Sequence, residues 1–576
     1  MRIDGNTRNG AEVVAILPPR QSRQPIGLGV PTAALGGSSK PWFVFSIFGG
    51  WGDVFMVSGV AREIKQANPG ARIEYHLPKH QQVLLEGNPD FDLLLPEQTA
   101  IAAPKGFVPI AYPDQFKGTW RTPGWHWMRV VCQAAGVNFD PYSLRRTYYA
   151  RPEELLWASD FLNKYERPWT FVHPFSSPWT KLKQWSRTNW ADVVDDIPGT
   201  TFVVGKDDQG NEPFAVDSGN VVSLQEQHTF RETAALLHYA DLVVCMDSSI
   251  AHAAEAAGAK HVITLFGATT PQMVGLFMPG AVNLEPRRRP CDNPDECWVN
   301  TKDCPAPAPC VNLITTAEVK RAIGNVYDPP AHLPLEFVIV NWNSSQLTTR
   351  VLQDLARTCQ TTGYQVTVVD NGSHKADVAA VRAALTRYHR GRSRLIRNAE
   401  NRGFPAAVND GLAQSTAEVV CLLNPDIEIY EPGWDRRLLA MFDATPRAGI
   451  VGPGKTETAY FFGAHKDTRQ RGNSPIRCDR VNGATMAIHR RCLDKVPWMD
   501  EVYTPGLCEE TDYCVRAQAL GLEVWWMPAE IIHLGGQTIA GNDYSWSANH
   551  QRNVELFDRR WRNFQMPFTG HTPKGY

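Results

Sequence analysis

The 576-residue chain lacks any apolar run approaching the roughly 20 residues that a bilayer span needs. Its most apolar stretches, such as ADLVVCM (240–246) and AEVVCLL (417–423), are too short, so no transmembrane helix is expected and membrane contact would be peripheral. A secretory signal is also missing, because polar and charged residues precede the short AEVVAIL run (11–17), and Pro and Arg follow it. The cytoplasm is the expected location. Net charge is scarce too: 58 basic residues against 60 acidic ones leave −2, so no global field pulls the chain onto nucleic acid. No repeat of solenoid length occurs, and low complexity is confined to the N-terminus.

What is present suits several folded domains, since 576 residues with 43% hydrophobic and 20% charged composition exceed one core. The twelve cysteines are scattered, several within apolar strands, as reduced core thiols are. Residues 1–40 are rich in Gly, Pro, Arg and Ser and read as an extension that is flexible or packs as an isolated strand. From Trp42, WFVFSIF reads as a buried parallel strand, GGWGD as a turn, VFMVSGVAREIKQANPG as an amphipathic helix with a Pro-Gly stop, and ARIEYHL as the next strand. Strands TFVHPF, TTFVVG, LVVCMD and HVITLFG, alternating with helices, predict a second doubly wound α/β domain. A Pro-rich linker at 326–336 precedes a third α/β domain. The expected boundaries are 41–165, 166–325 and 337–560, with a tail at 561–576.

In the first two domains, Asp53 sits in the turn after a strand, where a carboxylate can take the proton of an attacking hydroxyl. A leaving diphosphate needs positive potential, which Lys183 and the amides of a helix starting at Ser248-Ser249-Ile250 supply without a metal. The bland alternatives are a structural Gly-Asp turn and an N-capped Ala-rich packing helix. GGWGDVF, NPGARIEYHL, GNPDFDLLL, TKLKQWS and DSSIAHAAEAAGAKHVITLFGATTP together resemble the ADP-heptose:lipopolysaccharide heptosyltransferase family. That resemblance implies two Rossmann-like domains in the GT-B arrangement, Asp53 as general base, and Asp247 on the donor sugar with His252 directed to the same place. One departure is Ser58-Gly59, where the family usually carries Pro. Cys291, Cys297, Cys304 and Cys310 form C-x5-C-x6-C-x5-C, a candidate structural zinc site, although the spacing is wider than paired C-x2-C knuckles and reduced loop cysteines are the default.

The last third carries, in order, FVIVNWN (337–343), VVDNGS (368–373), NRGFPAAVNDG (401–411), LLNPDIEI (422–429), EETDYCVR (509–516) and IIHLGG (531–536). Strands ending in Asp370 and in Asn424-Pro425-Asp426, with a distant His533, are the parts needed to hold a sugar nucleotide and a divalent metal. Taken singly, Asn-Pro-Asp reads as a β-turn, the acidic cluster as a solvated helix start and His533 as a core histidine. The ordered set resembles family 2 glycosyltransferases of the rhamnosyltransferase-like branch, which implies a GT-A fold. By that resemblance Asn341 and Asp370 lie near base and ribose, with Asn371 and Ser373 in the next turn. Asn401, Gly403, Phe404 and Asn409 line the donor pocket. LLNPD stands for the Asp-x-Asp motif with Asn424 replacing the first Asp, so Asp426 and His533 hold Mg²⁺ or Mn²⁺. In EETDYCVR, Glu510 replaces the family's Asp as general base, with Asp512 and Arg516 supporting it and Glu509 as the substitute.

The expectation is a bifunctional inverting enzyme. The first donor would be ADP-heptose or a similar nucleotide sugar, and the second dTDP-rhamnose or a UDP-sugar. The acceptor would be lipopolysaccharide or another surface glycan. Two alternatives stand beside it. One is a DNA acceptor carrying hydroxymethylated bases, motivated by Arg287-Arg288-Arg289 and the basic stretch 387–397. The other is a non-enzymatic binding module, motivated by the Ser58-Gly59 and Glu510 departures.

Overall fold

The computed structural model describes residues 14–15, 40–47, 49–97, 107–111, 126–176, 181–206, 213–290, 304, 308–329, 333–455, 459–462, 474–536 and 547–575. Among them, three large α/β sheets follow one another along the chain. In the first sheet the strands run in the order Leu93–Leu95, Arg72–His76, Trp42–Ser46, Val108–Ala111, all parallel. The strand at Trp42–Ser46 has no polar face because both of its sides are covered. The helix Trp51–Ala67 then lays Val54, Phe55, Val57, Val60, Ala61 and Ile64 against the sheet, and the chain turns at Gly70, whose φ is +91°.

The second sheet is also parallel, in the order Ala281–Leu284, Val262–Leu265, Leu242–Met246, Trp169–His173, Thr200–Val203, Val221–Ser223. Its strand order reverses between Trp169–His173 and Leu242–Met246, the place where open α/β sheets form a crevice.

The third sheet is mixed. Ser393–Asn398, Gln365–Asn371, Leu333–Asn341 and Ala417–Leu423 run parallel, and the antiparallel strand Thr485–His489 extends them. Ala448–Gly454, Glu523–Pro528 and Ile476–Cys478 complete the order. Leu333–Asn341 emerges first and is flanked on both sides by later strands, so a second crevice opens at its carboxyl end.

The units are packed together. One apolar cluster runs from Phe45 and Ile250 through Phe277 to Val338, Trp498 and Tyr513. Polar clasps flank it. Asn283 donates its backbone N–H to Asp494 O (2.7 Å) and its amide to Lys495 O (3.0 Å), while Arg447 makes two bonds to Asp140 (3.1 and 2.9 Å). At the N-terminal end, Val14–Ala15 pairs antiparallel with Tyr149–Ala150. At the other end, the helix Ser547–Trp561 and the residues after it belong to the third unit: Trp561, Phe564 and Met566 are buried, and Thr569 donates to Asp479 (2.9 Å). Among the described residues, no helix is long and apolar enough to cross a membrane.

Two candidate active sites

In the first unit, the crevice of the second sheet brings His173 and Ser248 together, with Ser248 Oγ 3.1 Å from His173 Nδ1. Asp247, one residue beyond its strand, is buried and pairs with Lys183 Nζ at 2.6 Å. Thr269 also donates to its carboxylate. The helix Ser249–Ala257 starts here, and its first amides face the same crevice. His252 is buried, and its Nδ1 has no hydrogen-bond partner among the described residues. Burial, with Arg146, His126 and Lys183 nearby, holds His252 well below the usual imidazole range, so the ring is neutral.

Asp53 comes from the opposite lobe. Burial away from water pushes its carboxyl up to about 6, although the Gly50 backbone and the Lys183 charge oppose the rise and Asp247 adds to it. The lobes meet through Gly52, where an added Cβ would stand 2.7 Å from His252 Cδ2 and 3.5 Å from Ser249 Cα. Gly52→Ala is expected to destabilise the chain by about 1 kcal/mol, because overpacking at roughly 1–3 kcal/mol outweighs the roughly 0.8–1 kcal/mol of helix propensity gained. Chemical denaturation reads this, and a raised midpoint would show that His252 yields freely. At the Ser58-Gly59 departure the helix packs closely on the first lobe's later chain: a Cβ added to Gly59 would stand 3.0 Å from Arg145 O. Ser58 donates to Phe55 O (2.7 Å) and receives the Thr147 N–H (3.0 Å), so it joins the helix to the chain leading into the second lobe.

In the second unit, the short strands Ile427–Ile429 and Ile531–His533 pair antiparallel, with Ile427 opposite His533. That ladder places His533 Nε2 3.3 Å from Asp426 Oδ1, and the Leu534 N–H bonds to Asp426 O. Beside them, Asn424 donates its N–H to Ala484 O, while its buried side-chain oxygen has no hydrogen-bond partner among the described residues. Glu510 lies against Gly483, the residue before Ala484, and its Oε1 is 3.6 Å from Arg480. Glu509 is buried, and one of its oxygens has no hydrogen-bond partner among the described residues. Burial, then the Glu510 charge, pushes its carboxyl well above the usual range. The chain enters this helix through Leu507 and Cys508 at φ +77° and +74°, a left-handed pair that costs energy outside glycine.

The residues assigned to the nucleotide divide into two groups. Asp370 is buried, its Oδ2 has no hydrogen-bond partner among the described residues, and Arg397 Nε is 3.6 Å away. Asn371 donates to Asn401 Oδ1 (2.9 Å) and Gly403 O (3.2 Å), which fixes the Asn401–Phe404 turn. Gly403 has φ +86°, and an added Cβ would meet Thr504 at 2.6 Å, so the turn rests on the loop before Glu509. Asn341, by contrast, is fully buried. It donates to Asp377 (2.7 Å) and Ser373 (3.1 Å) and accepts from Thr348 (2.7 Å), which spends its amide inside the fold. Asn409 likewise holds the 499–501 loop through Met499 and Glu501. Asp512 is enclosed: it accepts from Arg516 (2.7 Å), Arg560 (3.0 Å), Trp561 (2.9 Å) and Tyr503 (3.2 Å). Of the cysteine cluster, Cys291 and Cys297 lie outside the described residues, Cys304 is half-buried and Cys310 is buried. Among the described residues, no group of three His, Cys, Asp or Glu side chains is placed to hold a metal.

Residues 126–295 match the family model for glycosyltransferase family 9 (heptosyltransferase), and residues 336–487 match that for glycosyl transferase family 2. The chain is a fusion of two glycosyltransferase units. The family 9 unit is heptosyltransferase-like and the family 2 unit is GT-A-like. The uncharacterized protein y4gI of Sinorhizobium fredii (strain NBRC 101917 / NGR234) is 26% identical over 233 residues, which are 36% of this chain and 25% of that protein. The chain thus spans about a quarter of the length of that curated relative. Among solved structures, a family 9 glycosyl transferase from Veillonella parvula DSM 2008 aligns at 14% identity over 50% of this chain and 98% of its own, with TM-score 0.41. A mannosyltransferase from Pyrobaculum calidifontis, solved with GDP-Man and Mn2+, aligns at 17% identity over 42% of this chain and 67% of its own, with TM-score 0.33.

The matched residues contain Lys183, Asp247 to His252 and Asn341 to Asp426, whereas Asp53, Glu510 and His533 lie outside them. Sequence reasoning missed Asp377 in the family 2 unit, which takes Asn341 and the Ser345 N–H. Its signal was an acidic residue in a helix first turn, four residues after VVDNGS. It also missed Arg560 and Trp561, which lie at the edge of the expected tail.

Proposed function

We propose that the chain is a two-site inverting glycosyltransferase that adds sugars in succession to one surface glycan. The observation that carries this reading is the Asp426–His533 pair at 3.3 Å beside the unpartnered Asn424 oxygen, at the mouth of a strand-end crevice. A carboxylate, an imidazole and a buried carbonyl oxygen without a donor fit a divalent cation. Asp426 and His533 would hold Mg²⁺ or Mn²⁺ there, and a bound cation neutralises charge on a donor diphosphate. Glu510, half-buried at the same mouth, takes the proton of the acceptor hydroxyl as its oxygen attacks the anomeric carbon and the bond to the diphosphate breaks. Glu509 is the poorer base because burial keeps it protonated.

In the heptosyltransferase-like unit, Asp53 takes the corresponding proton. Lys183 and the amides at Ser248 and Ser249 receive the departing diphosphate. An ADP-heptose-like donor fits the family 9 description, and dTDP-rhamnose or a UDP-sugar fits the second unit. Joining the units raises the concentration of the intermediate at the second site. The arginine runs favour a glycan over DNA as acceptor: Arg287 is spent on Glu318 and Asp410, Arg289 is buried on Gly267 O and Thr269 O, and Arg394 bonds Gln414 O.

Thermal unfolding in the presence of nucleotide sugars, with and without Mn²⁺, tests the reading, because a ligand that binds only the folded chain raises its midpoint. A Mn²⁺-dependent rise is expected with dTDP-rhamnose or a UDP-sugar, and Asp426→Ala is expected to abolish it while sparing the rise caused by ADP-heptose. A rise that survives Asp426→Ala would remove Asp426 from the site.

A further inference from the structure

We infer that Glu285, contributed by the heptosyltransferase-like unit, is a positioning residue for the active site of the family 2 unit. The inference rests on the functional reading above. Glu285 follows the strand Ala281–Leu284 and is buried at the seam between the units, with 9% of its surface exposed. Its Oε1 accepts from Arg516 Nη1 at 3.3 Å. Arg516 is fixed at three points: Glu285, Trp498 O (2.8 Å) and Asp512 (2.7 Å). It stands on the helix Glu509–Ala519, whose first turn presents Glu509 and Glu510. The other Glu285 oxygen receives Arg289 (3.4 Å), which also donates to Gly267 O and to Thr269 O (3.2 Å), and Thr269 in turn donates to Asp247. A buried hydrogen-bonded chain therefore runs from Asp247 through Thr269, Arg289, Glu285 and Arg516 to Asp512.

Docking of the two units does not depend on Glu285, because Asn283, Arg287 and the Asp140–Arg447 pair also bridge them. What Glu285 adds is orientation. Arg516 bonds Asp512 through Nε and Trp498 O through Nη2, and Glu285 takes Nη1, so a buried negative charge from the other unit loads the third corner of the guanidinium plane that holds Asp512, one half-turn from Glu510. The helix is entered through two left-handed residues, so its start is set by such contacts rather than by backbone preference. Arg289 keeps both carbonyl bonds without Glu285, so the first site should be spared.

The test uses the full chain with Glu285→Gln, Arg516→Lys and the double variant. Nucleoside diphosphate release is measured from dTDP-rhamnose and UDP-glucose with Mn²⁺, and from ADP-heptose without it. Glu285→Gln, which keeps an acceptor but removes the charge that holds the Arg516 guanidinium, is expected to lower kcat of the Mn²⁺-dependent release by about 10-fold, since a misplacement near 1 Å costs on the order of 100-fold. KM, the thermal shift produced by the donor, and release from ADP-heptose are expected to stay within about twofold. The double variant is expected to lose no more than the worse single one, as two partners in one contact do. Should Glu285→Gln not fold, Arg516→Lys carries the same kcat-against-KM comparison. Unchanged kcat, parallel loss of both activities, or losses that multiply in the double variant would overturn the inference. If Asp426→Ala silences the Mn²⁺-dependent release and Glu285→Gln does not, the positioning role fails and the functional reading stands. Release absent from the unaltered chain would sink both.

Discussion

Asp53→Asn is expected to lower transfer by the heptosyltransferase-like unit by about 10²- to 10⁴-fold, the usual contribution of a positioned general base. Transfer by the family 2 unit should be unchanged. Asp53 follows Gly52, which packs on His252 across the groove, and burial pushes the Asp53 carboxyl up to about 6. A base is competent only when deprotonated, so kcat/KM of the unaltered chain should climb with pH up to about 6 and level off above it. The variant should lose that limb. Stability separates this from unfolding. A carboxyl raised in the folded state binds its proton more tightly there than in the unfolded chain, so stability falls as pH rises from the ordinary 3.8 to about 6. Asn removes that cost, and the variant should unfold no earlier than the parent at neutral pH. A variant that retains transfer, or a pH profile flat from 5 to 8, would remove Asp53 from the chemistry.

How far the fold and sites could be read before the structure depends on the distance over which each feature is determined. Buried parallel strands are local: WFVFS, LVVCM and AEVVCLL are apolar at every position or nearly so, because both faces of the sheet are covered. Strand-end acids such as Asp247 and Asp426 follow directly from where those runs stop. Partner identity is not local. Asn341 reads as a ligand of the nucleotide, yet its amide is taken by Asp377, 36 residues on. Asn409 is held by Met499 and Glu501, about 90 residues away. Nothing near either residue in sequence announces that its hydrogen bonds are spent. The end of the C-terminal helix is a similar case: residues from 561 on read as a tail, yet Trp561 closes the helix Ser547–Trp561 and is buried. Its inward residues act by hydrogen bonding as much as by apolar area. Asn553 donates to Tyr503 O (2.7 Å) and Gly506 O (2.8 Å), which secures the loop before Glu509 from outside the family 2 match.

Asp512→Ala is expected to destabilise the chain by about 3–5 kcal/mol, the cost of leaving buried positive charge without its partner. The carboxylate has no exposed surface and receives four donors, two of them guanidinium groups. Burial alone would raise its pKa, but Arg560 and Arg516, with bonds from Trp561 and Arg516, hold it below the ordinary value. The sign of the pH effect follows. A depressed carboxyl stabilises the folded chain above its unfolded pKa, and that contribution is lost as pH falls through the folded value, so the parent should lose stability in acid more steeply than the variant. After truncation Arg560 keeps Asp500 (3.0 Å) and Arg516 keeps Glu285 (3.3 Å), which places the loss nearer the lower end of the range. At roughly 2–4 °C per kcal/mol for a unit of this size, the midpoint should drop by about 6–12 °C. Asp512→Asn, which retains an acceptor but no charge, should fall between the two. The comparison decides what the residue does. A large fall in midpoint together with lost turnover makes Asp512 the anchor of the Glu510 helix and of the C-terminal helix. Lost turnover at an unchanged midpoint would instead make it a carboxylate that meets the substrate, and the network around it would need another explanation.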